Sequence, residues 1–497
     1  MINLKNNENK LGIVLFAISI ITLLYVSYIG FTKLGMWNDE IHSLGLIKLP
    51  FNEFSNIVIL DVHPPLYYLI YKFFYKIGVL FGINPILIGK FTSLLPFYLI
   101  LVLSATKIRK NFGYLTAGLF AFCIVSMPQL MNFAVELRMY SWGLFFITAS
   151  FIYVYEIINN NSNLKNWIIL TILTVASAYT HYFSAVASFV IYGFLLLYLI
   201  KNNKVELKKW IVSAIIAVLS FLPWLFILKD QISTVSGSYW IAPITINRII
   251  GYIFFIFSPA NQVINGNEIA SFSILGIILL IGCILLIIKS KKEFNDKYGI
   301  YGILITLCVP IIGIILSLLI RPIFHPRYMI PSLGCLWLGI SILLSKNFNN
   351  KKLFIPILVI ILVVGAISCV NFTQNQINDQ INDTNNIHML EDTFGSGNII
   401  IYDGFVPYFQ MNSYYLPNDH NFLLTITEDK EFNNTAMQIS NVLSDPGIQN
   451  EISQGSKVYF MSYKNYDGEI TLNHDTFNLK KLPIEFDKFK AYEVEIK

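Results

Sequence analysis

Apolar runs of about 20 residues recur through the first three quarters of the chain, separated by short polar and basic stretches. A helix rises about 1.5 Å per residue and the hydrocarbon core of a bilayer is roughly 30 Å thick, so runs of this length can cross it. The pattern predicts spans near Leu11–Phe31, Ile86–Thr106, Tyr114–Met131, Met139–Ile158, Trp167–Thr180, Ser184–Ile200, Trp210–Leu228, Ser271–Ile288, Tyr298–Ile320, Tyr328–Leu344 and Leu353–Val370. The first run follows Lys5 and Lys10, is longer than the apolar core of a signal peptide and lacks a small-residue cleavage site, which reads as a retained signal-anchor.

Pro64–Phe81 is apolar in a different way. Leu66, Leu69, Ile70, Phe73, Phe74 and Ile77 share one helical face while Tyr71, Lys72, Tyr75 and Lys76 lie on the other, the pattern of a helix lying in the membrane interface. Ile249–Phe257 is too short to cross and falls within a long loop near 229–270. Beyond an Asn-rich spacer at 371–386, Asn398–Tyr402 and Lys457–Met461 read as short strands with polar helix-like stretches between them, a small α/β domain. The predicted organisation is a transmembrane domain over 1–372 and a soluble domain over 373–497.

Composition sharpens this division. Of 497 residues 55% are hydrophobic and 13% charged, with a mean hydropathy of +0.60, which excludes an ordinary soluble enzyme. The net charge of +5 conceals two opposite regions. Residues 1–372 hold 27 Lys/Arg against 12 Asp/Glu, whereas 373–497 hold 8 against 18. Basic clusters at Lys5/Lys10, Lys107/Arg109/Lys110, Lys165, Lys201/Lys204/Lys208/Lys209, Lys289/Lys291/Lys292/Lys297 and Lys346/Lys351/Lys352 then set orientation. If Pro64–Phe81 crossed the membrane, 15 of these 17 charges would face outward; if it lies in the interface, all 17 face the cytoplasm. The expectation is about 11 transmembrane helices, a cytoplasmic N-terminus, and an extracytoplasmic C-terminal domain. The five cysteines all fall in apolar segments, with neither disulfide nor zinc spacing, and read as packing residues.

With that orientation, the polar residues hardest to explain by packing gather on the outer side. They are Trp37-Asn38-Asp39-Glu40 after the first span, Asp61-Val62-His63-Pro64-Pro65, Glu136-Leu137-Arg138-Met139-Tyr140, Tyr179-Thr180-His181-Tyr182, and Arg321-Pro322 with His325-Pro326-Arg327-Tyr328. Asp39 and Glu40 read as a helix cap or as a general base, since a carboxylate beside a low-dielectric surface can hold a raised pKa and remove a proton from a hydroxyl. Arg138 and Arg327 read as snorkelling cations or as a phosphate clamp, because guanidinium pairs bidentately with phosphate oxygens. Glu136 is a competing partner for Arg138. His63 and His325 read as structural hydrogen-bonders or as donors to the same phosphate or a sugar. The Pro64-Pro65 pair suits the first turn of the interfacial helix. No histidine pair has zinc-ligand spacing, and an oxygen-ligated divalent ion (Mg or Mn) at Asp39/Glu40 is the more plausible metal.

At these residues the chain resembles GT-C-fold glycosyltransferases, and within them the family 39 (PMT-like) relatives of protein O-mannosyltransferases and aminoarabinose transferases. The matching pieces are Trp37-Asn38-Asp39-Glu40, His63-Pro64-Pro65-Leu66-Tyr67-Tyr68, Glu136-Leu137-Arg138-Met139-Tyr140, Thr180-His181-Tyr182-Phe183 and Arg327-Tyr328, spread over residues 10–345. The resemblance implies inverting transfer of a hexosyl or pentosyl group from a polyprenyl-phosphate carrier to a protein, lipid or cell-wall glycan acceptor outside the cell. It implies Asp39 as base with Glu40 as second acid. Arg138 and Arg327, with His63 and His325, would hold the donor phosphate, and Tyr140, His181, Tyr182 and Tyr328 would line the substrate. Membrane lipid is an implied partner and nucleic acid is not, and no cofactor is required. A donor already activated as a phosphodiester needs no nucleotide site, in keeping with the lack of a Gly-rich phosphate loop. Three rivals remain: a secondary transporter, another polyprenyl-linked glycan ligase or polymerase, and an inert scaffold. Transporters place ionisable groups near the bilayer midplane, usually on repeated halves, and no repeat is visible here.

Overall fold

The computed structural model describes residues 2–159, 163–237, 241–259, 273–290, 293–395, 397–417, 420–424, 440–463, 472, 475–486 and 489–497. The chain begins with α1 (Ile2–Thr32), α2 (Asn38–Lys48), α3 (Phe51–Leu60), α4 (Leu66–Leu80) and α5 (Pro85–Leu103), the last continued by a π-helical turn into α6 (Arg109–Phe112). Then follow α7 (Tyr114–Ser126), α8 (Leu130–Val135), α9 (Tyr140–Asn159), α10 (Leu164–Thr180), α11 (Tyr182–Asn202) and α12 (Leu207–Gly237). The helical series ends with α13 (Ile246–Phe257), α14 (Ser273–Ile288), α15 (Phe294–Leu319), α16 (Ile330–Lys346) and α17 (Lys351–Phe394).

Ten of the eleven predicted spans fall mainly on one helix, with 271–272 of Ser271–Ile288 outside the described residues, whereas Tyr114–Met131 is broken after Ser126, where Gln129 turns into the left-handed region before α8. Among the described residues eight helices are long and apolar enough to cross a membrane: α1, α5 with its continuation, α9, α11, α12, α15, α16 and α17. The other three, α7, α10 and α14, have 13, 17 and 16 residues. The protein is a multi-pass membrane protein. Of the long loop predicted over 229–270, the beginning is helical, since α12 runs on to Gly237, and the short apolar piece is α13; residues 238–240 and 260–272, like Lys291 and Lys292, lie outside the described residues.

Compactness divides the chain into two units, one of residues 1–32 and 62–375, the other of residues 33–61 and 376–497. In the first, α15 and α16 approach backbone to backbone: a Cβ on Gly339 would lie 2.3 Å from the carbonyl oxygen of Gly299. Small residues at such crossings drive helix association where lipid removes the hydrophobic incentive. The outward side of α12 is aliphatic and aromatic, with Ile215, Val218, Leu219 and Phe226 exposed, as a lipid-facing helix requires. In α4 only half of the face read as polar meets solvent or the interface: Tyr71 and Lys72 are buried in protein together with Tyr67 and Tyr68, Tyr75 is half-buried and Lys76 exposed, while Leu69, Phe73 and Ile77 of the apolar face are exposed. The apolar stripe is left for hydrocarbon and the tyrosines for the protein interior.

The second unit contains a six-stranded sheet of β1 (Ile399–Tyr402), β2 (Asn421–Leu424), β3 (Val442–Leu443), β4 (Val458–Tyr463), β5 (Phe477–Phe486) and β6 (Phe489–Ile496). The order is β3-β2-β1-β4-β6-β5, parallel from β3 to β4 and antiparallel beyond, with Ile400 opposite both Asn421 and Tyr459 and Phe460 opposite Tyr492. Ile399, Ile401, Val458, Phe460 and Ile448 of the connecting helix α19 form its core, after α18 (Phe405–Gln410) and before the final hairpin, α19 being Asp445–Ser453. Both predicted strands are present. The Asn-rich stretch expected to be a spacer is instead helical, the second half of the 44-residue α17. No Gly or Pro interrupts 366–394, and Asn, Gln and Asp lower helix propensity without ending a helix.

Candidate active site

In the first unit the Pro64-Pro65 pair opens α4 as expected, and the helix starts at Leu66. His63 precedes it, buried, and its Nε2 lies 3.3 Å from Nη2 of Arg138. Arginine only donates, so His63 Nε2 accepts and the ring proton resides on Nδ1. Arg138 also donates from Nη1 to the hydroxyl of Tyr68 at 3.2 Å. The guanidinium is 3% exposed, so this is a cation held inside the protein rather than one reaching for headgroups. Its backbone is fixed between α8 and α9, where its N–H donates to the Glu136 carbonyl at 2.7 Å.

His181 is a single extended residue between α10 and α11. Its Nδ1 accepts from the Phe183 N–H at 3.1 Å, capping α11, which leaves the proton on Nε2. The ring lies 5.9 Å from His63, 5.4 Å from Tyr140 and 4.9 Å from Tyr328, centroid to centroid. Arg327 and Tyr328 sit on the short turn Pro326–Met329 before α16; the turn is capped by His325, whose Nδ1 accepts from the Arg327 N–H at 3.4 Å. The Arg327 guanidinium lies 5.8 Å from the ring centroids of both Tyr140 and Tyr328, within cation–π range. Tyr140 is fully buried, and its hydroxyl has no hydrogen-bond partner among the described residues. Tyr182 is held differently: its hydroxyl donates to Gln231 and accepts from Trp224 Nε1 at 3.0 Å, which ties α11 to α12.

His63, His181, Tyr182 and Tyr328 border a cavity of about 400 Å³ whose remaining walls are mainly aliphatic and aromatic, among them Leu225 and Ile320. Burial, followed by the charges of His63, Arg327 and Arg138, holds the His181 pKa well below the ordinary 6.5. As pH falls through 6.5 the unfolded chain takes up a proton that the folded one refuses, so this contribution to stability is complete above pH 6.5 and lost below it. His181→Gln should therefore flatten the acid-side decline of Tm below about pH 6.5. An unchanged acid slope in thermal melts would contradict the assignment.

In the second unit Asp39 and Glu40 occupy the first turn of α2, where carboxylates complement the helix dipole. Glu40 is buried and its Oε2 accepts from the Trp37 N–H at 3.3 Å, a capping contact; Asp39 is half-buried. Sequence reasoning passed over four residues with evident roles: Tyr68 and Gln231 in the first unit, and Asp383 with Tyr414 in the second. Tyr68 lay within a quoted motif, but nothing in sequence marks which of two adjacent tyrosines meets an arginine 70 positions away. Among the described residues no three His, Cys, Asp or Glu side chains come together as metal ligands.

The chain combines a helical membrane unit with a unit that holds a small α/β sheet, a GT-C-like fold. Two solved structures of ArnT from Cupriavidus metallidurans share it. The one bound to undecaprenyl phosphate superposes with a TM-score of 0.59 at 10% identity, covering 96% of this chain and 97% of that one. The apo structure gives 0.61 at 9% identity, with coverages of 95% and 97%. At such identities the likeness is one of fold. No protein-family model matches the chain, and no curated protein matches it in sequence.

Proposed function

We propose that the protein transfers a sugar, hexosyl or pentosyl, from a polyprenyl-phosphate carrier to an acceptor hydroxyl on the extracytoplasmic face of the membrane, with inversion. The observation that carries this reading is that two buried guanidinium groups, Arg138 beside His63 and Arg327 beside Tyr328, stand behind residues that border a largely apolar cavity of about 400 Å³. A lipid phosphate has the same two ends. The occupant of the ArnT structure, undecaprenyl phosphate, is a molecule of that class, which supports the reading.

In the proposed reaction Asp39 takes the proton of the acceptor hydroxyl. The acceptor oxygen forms its bond to the anomeric carbon as the bond from that carbon to the carrier phosphate breaks. The charge that develops on the departing polyprenyl phosphate falls to Arg138 and Arg327, whose donors are preorganised by burial. His63 holds the Arg138 fork, and the Tyr140 hydroxyl offers a donor to a phosphate or sugar oxygen. Glu40 keeps the first turn of α2 in place beneath Asp39, and His325 caps the Arg327 turn. A divalent ion at Asp39/Glu40 would make transfer sensitive to EDTA. The acceptor is a protein, lipid or wall glycan.

Two measurements test this. Native mass spectrometry of the purified protein with polyprenyl phosphate should show one bound lipid, lost in an Arg138→Ala/Arg327→Ala variant; equal binding by the variant would remove the phosphate assignment. Orientation follows from the 17 basic loop charges. A cysteine introduced near Lys110 should be shielded from an impermeant thiol reagent in intact cells, and labelling there would reverse the proposed topology.

A further inference from the structure

Only the beginning of α17 is apolar; Asp383 lies 13 residues, about 20 Å of helix, beyond Val370. Its side chain is nonetheless 7% exposed. Burying a carboxylate is costly unless donors surround it, and here three do. Oδ2 accepts from the Met36 N–H at 2.7 Å and from the Tyr414 hydroxyl at 2.9 Å, and Oδ1 accepts from the Tyr415 hydroxyl at 3.4 Å. Met36 is the residue before Trp37, whose N–H is held by Glu40 and whose carbonyl accepts the Glu40 and Ile41 N–H groups that begin α2. Glu40 is also near enough for its charge to act on Asp383.

The same segment is gripped at further points by residues of its own unit. A Cβ on Gly35 would lie 2.6 Å from backbone atoms of Asp379 and Gln380, so the chain passes directly against the polar half of α17. A Cβ on Gly45 would fall 2.3 Å from the Phe409 ring, His42 meets the same ring at 5.7 Å, and Lys48 Nζ donates to the Ser413 carbonyl at 2.9 Å. Residues 376–415 thus clamp α2 along its length, and Asp383 is the point at which the clamp reaches the acidic turn.

We propose that Asp383 is a positioning residue for the acidic turn: by fixing the Met36 N–H between Tyr414 and Tyr415, it sets the place from which Asp39 acts. This rests on the reading of Asp39 as the base. The second unit then serves catalysis directly, because the lever that aims the base is built from its helix and its tyrosines.

The test measures kcat and donor KM of the purified full chain, by release of polyprenyl phosphate, for Asp383→Ala, Asp383→Asn, Tyr414→Phe and Asp39→Asn. Asp383→Ala should lower kcat about 100-fold and leave donor KM within about 2-fold. Asp383→Asn should recover kcat to within about 5-fold of wild type, since its amide oxygen can still accept from Met36 and Tyr414 while its NH2 faces the Tyr415 hydroxyl. Tyr414→Phe, which removes one donor, should lose about 5-fold in kcat alone and decides the matter if Asp383→Ala does not fold. Wild-type kcat in Asp383→Ala or in Tyr414→Phe, or no recovery in Asp383→Asn, overturns the proposal while an inactive Asp39→Asn leaves the base reading intact. An active Asp39→Asn instead overturns the base reading.

Discussion

Replacing Asp39 by Asn should abolish sugar transfer while leaving the protein folded and in the membrane. A positioned general base contributes about 10²–10⁴-fold, and Asn cannot take the acceptor proton, so kcat should fall by an amount in that range. The turn that Asp39 occupies is also held by the Glu40 carboxylate on the Trp37 N–H and by the Asp39 carbonyl, which accepts from the Ser43 hydroxyl at 2.9 Å, and both contacts survive the substitution. Donor binding should survive, because the residues proposed to hold the phosphate lie elsewhere in the chain. The check is kcat for polyprenyl phosphate release at saturating donor, beside an unchanged melting temperature in detergent.

Arg138→Ala carries the second large effect. Its guanidinium spans two partners, His63 Nε2 and the Tyr68 hydroxyl, in a fork that also aims it. Truncation removes the donor proposed for the departing phosphate and frees the ring that the fork orders. The loss in kcat/KM for the donor should be about 100-fold, or about 2.7 kcal/mol of transition-state stabilisation. Arg138→Lys should recover little, since one compact ammonium cannot reach both partners in the geometry of a planar fork. Steady-state kinetics of both variants against the wild type read this out. Near-wild-type kcat/KM in Arg138→Lys would show that charge alone is needed there.

Much of the membrane unit was legible in the sequence because bulk hydrophobicity is a one-dimensional signal. A run such as Trp210–Leu228 needs no partner to declare itself, and the alternation on α4 was visible residue by residue. The environments were not. Tyr71 and Lys72 are polar by composition, and only the packing of α4 against protein on that side makes their face the buried one. The Asn-rich stretch after Val370 lacks the apolar stripe by which helices are recognised, so its continuation of α17 depends on contacts that sequence does not display. For the same reason Asp383 was one acid among many in an acidic region, although it is bonded to Met36, 347 positions away.

The site was legible as a list of residues more than as an arrangement. His63, Arg138, Tyr140, His181 and Arg327 were chosen for their chemistry at helix ends, and they do converge. What sequence left open was the set of partners of Arg138; the fork to His63 and Tyr68 is a property of the fold. The pairing of His325 with the Arg327 N–H likewise gives that histidine a local task that its side-chain type does not reveal.

The most direct measurement is incubation of the purified full-length protein with a panel of polyprenyl-phosphate sugars and envelope protein, lipid and glycan acceptors, with released polyprenyl phosphate as the readout. One class of donor should be consumed by the wild type, with a matching gain of sugar on one acceptor, and by Asp39→Asn not at all. A folded wild type that releases nothing from any donor, or an Asp39→Asn variant that matches it, would contradict the assignment.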